Sequence, residues 1–169
     1  MVKAPFVSEP LASRHRLDTF DSGVAALDEW LRRSAAHAQA NRTARTFVWH
    51  RGDEGVVAWF SLAASLVRRD EMAKTVARSS PEHIPAVLLA RLALDRSLHS
   101  QGLGGELLAD AVTRVITATE SVAARLLIVD AIDERAAKFY ERYGFVRVPG
   151  QLRLAQKLSD LSAAASPRA

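Results

Sequence analysis

The spacing of apolar residues changes along the chain, and its first regular stretch predicts a helix. Between Val24 and Ala38, apolar residues recur at intervals of three and four positions, which places them on one face of an α-helix. Residues 21–23 (Asp-Ser-Gly) offer side chains of the type that caps such a helix. We expect residues 1–10 to be a loose lead-in and residues 15–20 to form a first short strand.

The middle of the chain predicts a hairpin, a long loop and a buried strand. Residues 46–50 and 56–62 are rich in β-branched and aromatic side chains and flank a glycine-containing turn, which favours an antiparallel hairpin. Residues 67–85 break this pattern with prolines and basic side chains, and a loop of this length is often functional. Residues 86–94 form a near-continuous apolar run, as expected for a central strand covered on both faces.

The second half of the chain alternates helices and strands. After a glycine-rich turn, apolar residues from Leu103 to Ile116 return at helical spacing. The remaining segments predict a buried strand, a helix capped by Asp133 and closed by Gly144, and two final strands. They lie at residues 126–129, 134–143, 145–148 and 152–156. This order predicts an α/β fold with one domain over residues 1–158 and a flexible Ala/Ser-rich tail over residues 159–169.

Composition limits the chemistry that the chain can perform. Its 169 residues suit one sizeable core, and the absence of cysteine excludes disulfides, cysteine–zinc sites and a cysteine nucleophile. The histidines show no metal-ligand spacing, so no metal is expected. No apolar run reaches membrane-spanning length and no signal peptide is recognisable, so we expect a cytoplasmic protein. The formal net charge of +4 favours polyanionic partners.

The apolar run at 86–94 leads into a polar turn that contains Gly102, Gly104 and Gly105 and then opens a helix. Glycines let the backbone approach a ligand closely, and the N–H groups of a first helical turn attract anions. The spacing excludes a P-loop and fits a dinucleotide fingerprint poorly. By itself, the turn is equally consistent with a tight connection that binds nothing.

Two motifs resemble those of the GNAT acetyltransferases. Residues 101–105 (Gln-Gly-Leu-Gly-Gly) resemble the family's pyrophosphate loop, R/Q-x-x-G-x-G/A, although the first position of that pattern is His99 here. Residues 136–145 resemble the A-x-x-x-Y-x-x-x-G-F signature that follows the fifth strand in these enzymes. The resemblance spans residues 15–157. It implies a GNAT fold, in which a mixed central sheet of six to seven strands, flanked by about four helices, splays at strands four and five.

The resemblance also implies acetyl-CoA as co-substrate and gives a role to individual residues. The pantetheine amides are expected along the fourth strand, at Leu92, Ala93 and Leu94. The pyrophosphate is expected on the N–H groups of Gln101, Gly102, Leu103, Gly104 and Gly105. Tyr140 is expected near the sulfur as general acid, because a phenol with a pKa near 10 is protonated at pH 7 and can donate to a leaving thiolate. Tyr143 shares a helical stripe with Ala136 and Phe139, so we interpret it as a core residue.

The apolar strand at 86–94 also bears on the acceptor, because it contains no Asp or Glu and its only charged residue is Arg91. A lysine amine, with a pKa of about 10.4, needs a base at pH 7, whereas an α-amine near 7.7–8.0 is already partly neutral. GNAT enzymes that modify lysine often place a carboxylate on this strand. Its absence favours an α-amine as acceptor, although a base from elsewhere or a water-mediated route remains open.

Within the family, residues 17–31, 89–95 and 130–140 resemble the GNAT toxins of bacterial toxin–antitoxin pairs. That resemblance implies direct acetylation of the α-amine of aminoacyl-tRNA, a block of translation, a homodimer, and neutralisation by a ribbon-helix-helix antitoxin. Basic residues that we expect to contact tRNA are Arg32, Arg33, Arg42, Arg45, Arg68, Arg69, Lys74, Arg78 and Arg91. Solvated surface charge is the alternative interpretation of these residues.

Two other functions stay open at this point. One is acetylation of a small-molecule amine or of a protein N-terminus. The other is a non-enzymatic subunit that binds nucleic acid or regulates a partner, against which Tyr140 and the glycine loop argue.

Overall fold

A computed structural model describes residues 5–165, which form seven strands and six α-helices. Strands β1 to β7 are Val7–Pro10, Arg45–His50, Ala58–Arg68, His83–Leu94, Leu126–Asp130, Val146–Arg147 and Arg153–Lys157. Helices α1 to α6 are Ala25–Arg33, Ala35–Ala40, Lys74–Ala77, Leu103–Thr119, Glu134–Arg142 and Leu158–Ala165. None of the helices in this described stretch is long and apolar enough to cross a membrane.

The strands form one mixed sheet in the order β1-β2-β3-β4-β5-β7-β6, which confirms the predicted α/β class and strand number. The parallel pair is β4 with β5, where Ala86–Leu89 lie opposite Leu126–Val129, while β4 continues to Leu94 beyond this pairing. A parallel pair that ends before its strand does is the pattern expected where a GNAT sheet splays. The six helices outnumber the four or so expected, because the segment over 24–38 forms two helices and because α3 and α6 lie in the predicted loop and tail.

By its internal contacts the chain divides into two compact units, and each is described by itself. The first contains the residues up to Ala63 together with Ala90–Ala111. Its core packs α1 and α2 on the β2–β3 hairpin, with Phe20, Leu31, Val48 and Trp59 at most 2% exposed. The predicted hairpin is confirmed, with Arg45–Trp49 antiparallel to Ala58–Leu62.

The start of the chain differs from its prediction. Residues 7–10, expected in a loose lead-in, form β1, which pairs antiparallel to β2 from Val7 opposite His50 to Pro10 opposite Phe47. Residues 15–20, expected as a strand, form none; only Arg16 makes an isolated bridge, to Gly55. The edge strand is therefore formed by residues 7–10, which lie earlier in the chain than the segment expected to form a strand.

The predicted helix over 24–38 is two helices. The backbone of Ser34 leaves helical geometry (φ −123°, ψ −27°), so α1 ends before it and α2 begins after it. Leu31 and Ala35 are both fully buried, which shows that the apolar face continues across the break. The predicted capping is also wrong in detail, because no side chain caps α1. Instead, the buried Asp28 accepts hydrogen bonds from the N–H and Oγ of Ser22.

The second unit contains Ala64–Leu89 and the residues from Val112 onward. Its core cluster includes Ile84, Leu126, Ile128 and Val76, the last from the segment expected to be a loop. That segment contains a 3-10 turn at Arg69–Glu71 and helix α3, and β4 starts earlier than predicted, at His83. Part of the expected tail is helical, since α6 runs to Ala165; residues 166–169 lie outside the described part of the chain.

Candidate functional site

The glycine-rich turn joins β4 to α4 within the first unit. Its backbone has positive φ at Ser100 (63°) and Gly102 (74°), and α4 begins at Leu103. Within residues 5–165, no group accepts a hydrogen bond from the N–H of Gly102, Leu103 or Gly104. A Cβ added at Gly102 would meet no atom within 4 Å, so the space on this side of the turn is open. Free N–H groups at the start of a 17-residue helix form a site suited to an anion such as a pyrophosphate.

Polar side chains hold this turn in place. Asp95 accepts from the N–H and Oγ of Ser97 at 3.0 and 2.8 Å and from the N–H of Asp21 at 3.0 Å. Burial acts to raise the pKa of Asp95, but the hydrogen bonds from Asp21 and Ser97 outweigh it, so its pKa is lowered. His99 Nε2 donates to the Leu94 carbonyl at 3.0 Å, and Gln101 Nε2 donates to the Ser97 carbonyl at 2.9 Å. His99, which departs from the family pattern, therefore braces the loop backbone.

Tyr140 lies on α5 in the second unit. Asp133 caps this helix by accepting from the N–H of Ala136 at 2.8 Å, as predicted. The ring of Tyr140 packs edge-on against Phe139 and Phe145, with centroid distances of 5.2 and 5.7 Å. Only 7% of the residue is exposed, and burial raises its pKa well above the ordinary value of 10.0. Its hydroxyl makes no hydrogen bond to any described residue, so it is a protonated donor with a free hydrogen.

The interpretation of Tyr143 as a core residue is wrong. Helix α5 ends at Arg142, so Tyr143 takes the C-cap position with φ −98° and is 47% exposed. Gly144 follows with φ +91°, as expected for the residue that closes the helix. A Cβ at Gly144 would lie 2.9 Å from Nε2 of Gln156, so the end of the Gln156 side chain would have to shift, and the positive φ is what favours glycine here.

The structure separates the basic candidates into engaged and available side chains. Four of them already have protein partners, and these are Arg32 with the Phe20 carbonyl, Arg33 with Glu29, Arg68 with Asp70 and Arg69 with the Ser80 carbonyl. The side-chain cations of Arg42, Arg45, Lys74, Arg78 and Arg91 make no ion pair or hydrogen bond to residues 5–165. Five of the candidates, namely Arg32, Arg33, Arg42, Arg45 and Arg91, lie in the first unit; Arg68, Arg69, Lys74 and Arg78 lie in the second.

A cationic cleft of about 490 Å³ opens in the second unit, around the segment that carries α3. Its lining residues are Arg69, Asp70, Lys74, Ala77, Arg78 and Ser79. Arg68 neutralises Asp70 through two contacts of 3.2 and 2.9 Å, while the exposed Lys74 and Arg78 are one turn apart on α3 and its C-cap. Arg125 stabilises this segment by donating from Nε to the Ser80 Oγ at 2.8 Å. The cleft therefore presents unneutralised positive charge to a polyanion.

One polar cluster has no signal in the sequence spacing. A single oxygen of Glu9, Oε1, accepts from Arg14 Nη2, His15 Nε2 and His50 Nε2, each at 2.7 Å. These bonds, of which the one from His15 has the largest effect, lower the pKa of Glu9 from 4.5 to about 2.

The carboxylate and two imidazoles of this cluster lie close enough together to suggest a metal site, but the hydrogen bonds argue against one. The Nδ1 atoms of His15 and His50 accept from the N–H groups of Ala12 and Gly52, so each neutral ring carries its hydrogen on Nε2, the atom that faces Glu9. A cation would have to displace both hydrogens and Arg14. The cluster instead ties β1 to the end of β2.

Comparison with known proteins bears on what these elements do. The sequence model of the acetyltransferase (GNAT) domain matches residues 42–147. A tRNA-acetylating toxin of Mycobacterium tuberculosis is 36% identical over 127 residues, which are 75% of this chain and 76% of that protein. The structure of AtaT complexed with acetyl-methionyl-tRNAfMet superposes with a TM-score of 0.86 at 28% identity, covering 95% of this chain and 99% of that chain.

A second solved structure, of an AtaT mutant toxin bound to the C-terminus of the antitoxin AtaR and acetyl-CoA, has a TM-score of 0.82. It is 28% identical and covers 95% of this chain and 97% of that chain. These findings confirm the predicted fold, enzyme class and co-substrate. The chain belongs to the GNAT acetyltransferases that use acetyl-CoA for N-acetylation, and it is close to the tRNA-acetylating toxins of toxin–antitoxin systems.

Proposed function

We propose that this enzyme is a toxin that acetylates the α-amine of aminoacyl-tRNA and thereby blocks translation. The observation that carries the proposal is the 36% identity, over 75% of the chain, to a tRNA-acetylating toxin. The residues of this chain supply the chemistry that such a reaction requires, namely anion binding for the donor, a proton for the leaving group and cations for the acceptor.

The donor is held by backbone groups in this proposal. The pyrophosphate of acetyl-CoA accepts hydrogen bonds from the N–H groups at Gln101–Gly105, three of which have no acceptor within the described residues. The amides of the pantetheine arm add to β4 along Leu92–Leu94, beyond the part of β4 that pairs with β5. Because these contacts use the backbone, the substitution of His99 for Arg or Gln in the family pattern does not remove them.

Tyr140 serves as general acid. The neutral α-amine attacks the thioester carbonyl, a C–N bond forms, and the C–S bond breaks as the electron pair leaves on sulfur. Tyr140 donates its hydroxyl proton to that thiolate, and the acetylated nitrogen loses a proton to water. Burial raises the pKa of Tyr140, so the phenol stays protonated until the thiolate forms. Transfer is direct, since the chain has no cysteine to carry a thioester.

The acceptor is an α-amine rather than a lysine amine. Strand β4 contains no Asp or Glu along its full length from His83 to Leu94, so it provides no carboxylate base next to the proposed donor. An α-amine needs less assistance because a substantial fraction is neutral near pH 7–8. The acceptor's phosphates would meet the cations that lack protein partners, which are Arg42, Arg45, Lys74, Arg78 and Arg91.

Further features of this proposal rest on the family resemblance. They are a homodimer, a location in the cytoplasm, and inhibition by a ribbon-helix-helix antitoxin. The AtaT mutant toxin bound to the C-terminus of the antitoxin AtaR supports a protein inhibitor of this kind. Light scattering of the purified chain at micromolar concentration tests the dimer, and a monomer there would count against it.

The decisive experiment measures thiol release from acetyl-CoA with four acceptors, which are charged tRNA, uncharged tRNA, a polyamine and a peptide with a free N-terminus. Mass spectrometry of the released aminoacyl group identifies the acetylated nitrogen. Turnover confined to charged tRNA, with acetyl on the α-amine, supports the proposal. Turnover on the polyamine or the peptide but not on charged tRNA would replace it with the small-amine or protein N-terminus alternative.

A further inference from the structure

A cation rests on an aromatic pair in the first unit. The guanidinium carbon of Arg91 lies 3.9 Å from the ring centroid of Trp30, and Trp30 stacks on Trp59 at a centroid distance of 5.5 Å and an interplanar angle of 12°. Trp59 is fully buried, whereas Trp30 and Arg91 are partly exposed. The pair of indoles thus supports a guanidinium at the border between the core and solvent.

The polar atoms of this cluster are not satisfied by the protein. The guanidinium of Arg91 makes no ion pair and no hydrogen bond to any residue between 5 and 165, although partial burial disfavours its charge and lowers its pKa. The buried Nε1–H of Trp59 also has no acceptor. A partly desolvated cation without an anion is costly unless something else contacts it, and among residues 5–165 the face of Trp30 does so. All five N–H donors of Arg91 are consequently available to a ligand.

The position of Arg91 in β4 connects it with the proposed donor site. It directly precedes Leu92–Leu94, and Ala93 belongs to the same core cluster as Trp59 and Trp30. Because side chains alternate along a strand, Arg91 and Ala93 share the face that α1 covers. Arg91 therefore stands on the α1 side of the strand, one residue before the segment assigned to the pantetheine.

A guanidinium that lies over the face of an aromatic ring recognises a particular kind of ligand. Its plane stacks on a nucleobase, and its edge donates paired hydrogen bonds to phosphate. Unpaired nucleotides are bound in this way, by stacking combined with positive charge, whereas base-paired ones keep their faces covered. An amine acceptor without a nucleotide offers neither group.

We propose that Arg91, oriented by Trp30, binds the unpaired 3′-terminal nucleotides of the acylated RNA, with a base on its plane and a phosphate on its edge. This inference rests on the proposed function and deepens it, because it makes Arg91 the residue that distinguishes an aminoacyl-nucleotide from a simple amine. Arg91 would then determine specificity through the acceptor's last nucleotides and not through the helical part of the RNA.

The test compares Arg91→Ala and Arg91→Lys with the unaltered enzyme on three acceptors. These are charged tRNA, the aminoacylated trinucleotide CCA, and the methyl ester of the same amino acid. We expect Arg91→Ala to lower kcat/KM for both RNA acceptors at least tenfold more than for the methyl ester. Arg91→Lys should recover only part of that loss, because an ammonium group keeps the charge but has no plane. Circular dichroism confirms that the variants are folded.

Several results would overturn this inference. Equal losses of kcat/KM on all three acceptors would make Arg91 a general structural residue, and a raised KM for acetyl-CoA would place Arg91 in the acetyl-CoA site. Full recovery of kcat/KM by Arg91→Lys would exclude stacking of a base on Arg91. If Arg91→Ala acetylates charged tRNA normally, the inference about Arg91 is overturned but the proposed function is not. If the unaltered enzyme acetylates the methyl ester but neither RNA, the proposed function is overturned as well.

A binding experiment gives independent support for the inference. Uncharged CCA should quench the tryptophan fluorescence of the unaltered enzyme and should not quench that of Arg91→Ala.

Discussion

Oδ2 of Asp110 accepts a hydrogen bond from the indole Nε1–H of Trp49 at 2.9 Å, and this bond ties α4 to β2 inside the first unit. The same oxygen accepts from Oγ of Ser8 in β1 at 2.6 Å. Both Trp49 and Asp110 are at most 9% exposed. Because the glycine loop forms the N-terminal end of α4, the carboxylate that fastens α4 to the edge of the sheet also helps to hold that loop.

Removing the charge of Asp110 should destabilise the fold. In Asp110→Asn the side chain keeps its shape, but one of its oxygens becomes an NH₂ group and the charge-assisted bonds are lost. Hydrogen bonds to charged groups contribute about 1.5–3 kcal/mol each, so we expect a loss of that order in the free energy of unfolding, measured by urea denaturation. Asp18→Asn, at an exposed position, is the matched control. A loss no larger than that of the control would show that Asp110 does not anchor α4.

A methyl group at Gly102 should weaken acetyl-CoA binding without a comparable loss of stability. Gly102 and Gly150 both have φ +74°, and a Cβ at either would meet nothing within 4 Å. Gly102→Ala and Gly150→Ala therefore carry the same conformational strain, roughly 1 kcal/mol. Only the first places a methyl group beside the N–H groups assigned to the pyrophosphate. Calorimetry should show the Kd for acetyl-CoA raised about tenfold or more in Gly102→Ala alone, equivalent to about 1.4 kcal/mol.

These two variants distinguish obstruction of acetyl-CoA binding from an effect of backbone strain. If Gly150→Ala weakened acetyl-CoA binding equally, strain in the fold would be the cause. If neither variant changed the Kd, the pyrophosphate would have to bind elsewhere.

Tyr140→Phe should slow acetyl transfer while leaving acetyl-CoA binding nearly intact. The substitution keeps the buried ring and its edge-on packing against Phe139 and Phe145 and removes only the proton donor. Loss of a general acid lowers kcat by about 10²–10⁴-fold. Tyr143→Phe removes a hydroxyl from an exposed tyrosine one turn away and should retain normal kcat. Near-normal turnover by Tyr140→Phe would transfer the role to water or to another group.

The Glu9 cluster should make the free energy of unfolding depend on pH in the acidic range. The pKa of Glu9 is about 2 in the folded chain against an ordinary value of 4.5, because His15, Arg14 and His50 donate to its carboxylate. A group whose pKa is lowered by folding contributes stability that is fully present above its unfolded pKa and lost as pH falls through the folded one. The free energy of unfolding should therefore fall between about pH 4.5 and pH 2, and Glu9→Gln should have a smaller slope there.

Glu54→Gln is the matched control for this effect. Glu54 also faces Arg14, but at 3.8 Å and on an exposed side chain. The cluster would not be the source of the pH dependence if Glu9→Gln left the fall in the free energy of unfolding at acidic pH unchanged. The same conclusion would follow if Glu54→Gln reduced that fall equally.

Local pattern was sufficient for some parts of this molecule. The β2–β3 hairpin, α4, and the capped helix α5 each depend on residues close together in the chain, so spacing and capping residues predicted them. The glycine turn belongs to the same class, because the free N–H groups follow from a strand–turn–helix order, whereas Tyr140 was identified by the resemblance of residues 136–145 to the GNAT signature. Their roles in catalysis remain predictions.

Contacts between distant residues were the part that pattern could not supply. Strand β1 is short and contains a proline, and it is held by pairing with β2 and by Glu9, whose partners include His50. Nor does composition tell which cations are already engaged. Arg69 and Arg78 carry the same charge, but Arg69 donates to the carbonyl of Ser80, 11 residues away, whereas the guanidinium of Arg78 has no partner among residues 5–165. The break at Ser34 was hidden for the opposite reason, since the apolar stripe continues through it.

That difference between engaged and available cations gives the sharpest test of tRNA binding. Each cation that neutralises a phosphate releases a counterion, so log(kcat/KM) for charged tRNA should fall steeply with log of the salt concentration, by about one unit of slope per contact. Lys74→Gln and Arg78→Gln, at the cationic cleft, should each lower the slope by about one. Arg68→Gln, which removes a charge from the same segment but one already paired with Asp70, should change it much less. A small amino-acid ester, which has no phosphate, should show no such slope. If all three variants had the same slope as the unaltered enzyme, the cleft would be excluded as a phosphate site. If kcat/KM of the unaltered enzyme for charged tRNA did not depend on salt, tRNA would be disfavoured as the acceptor.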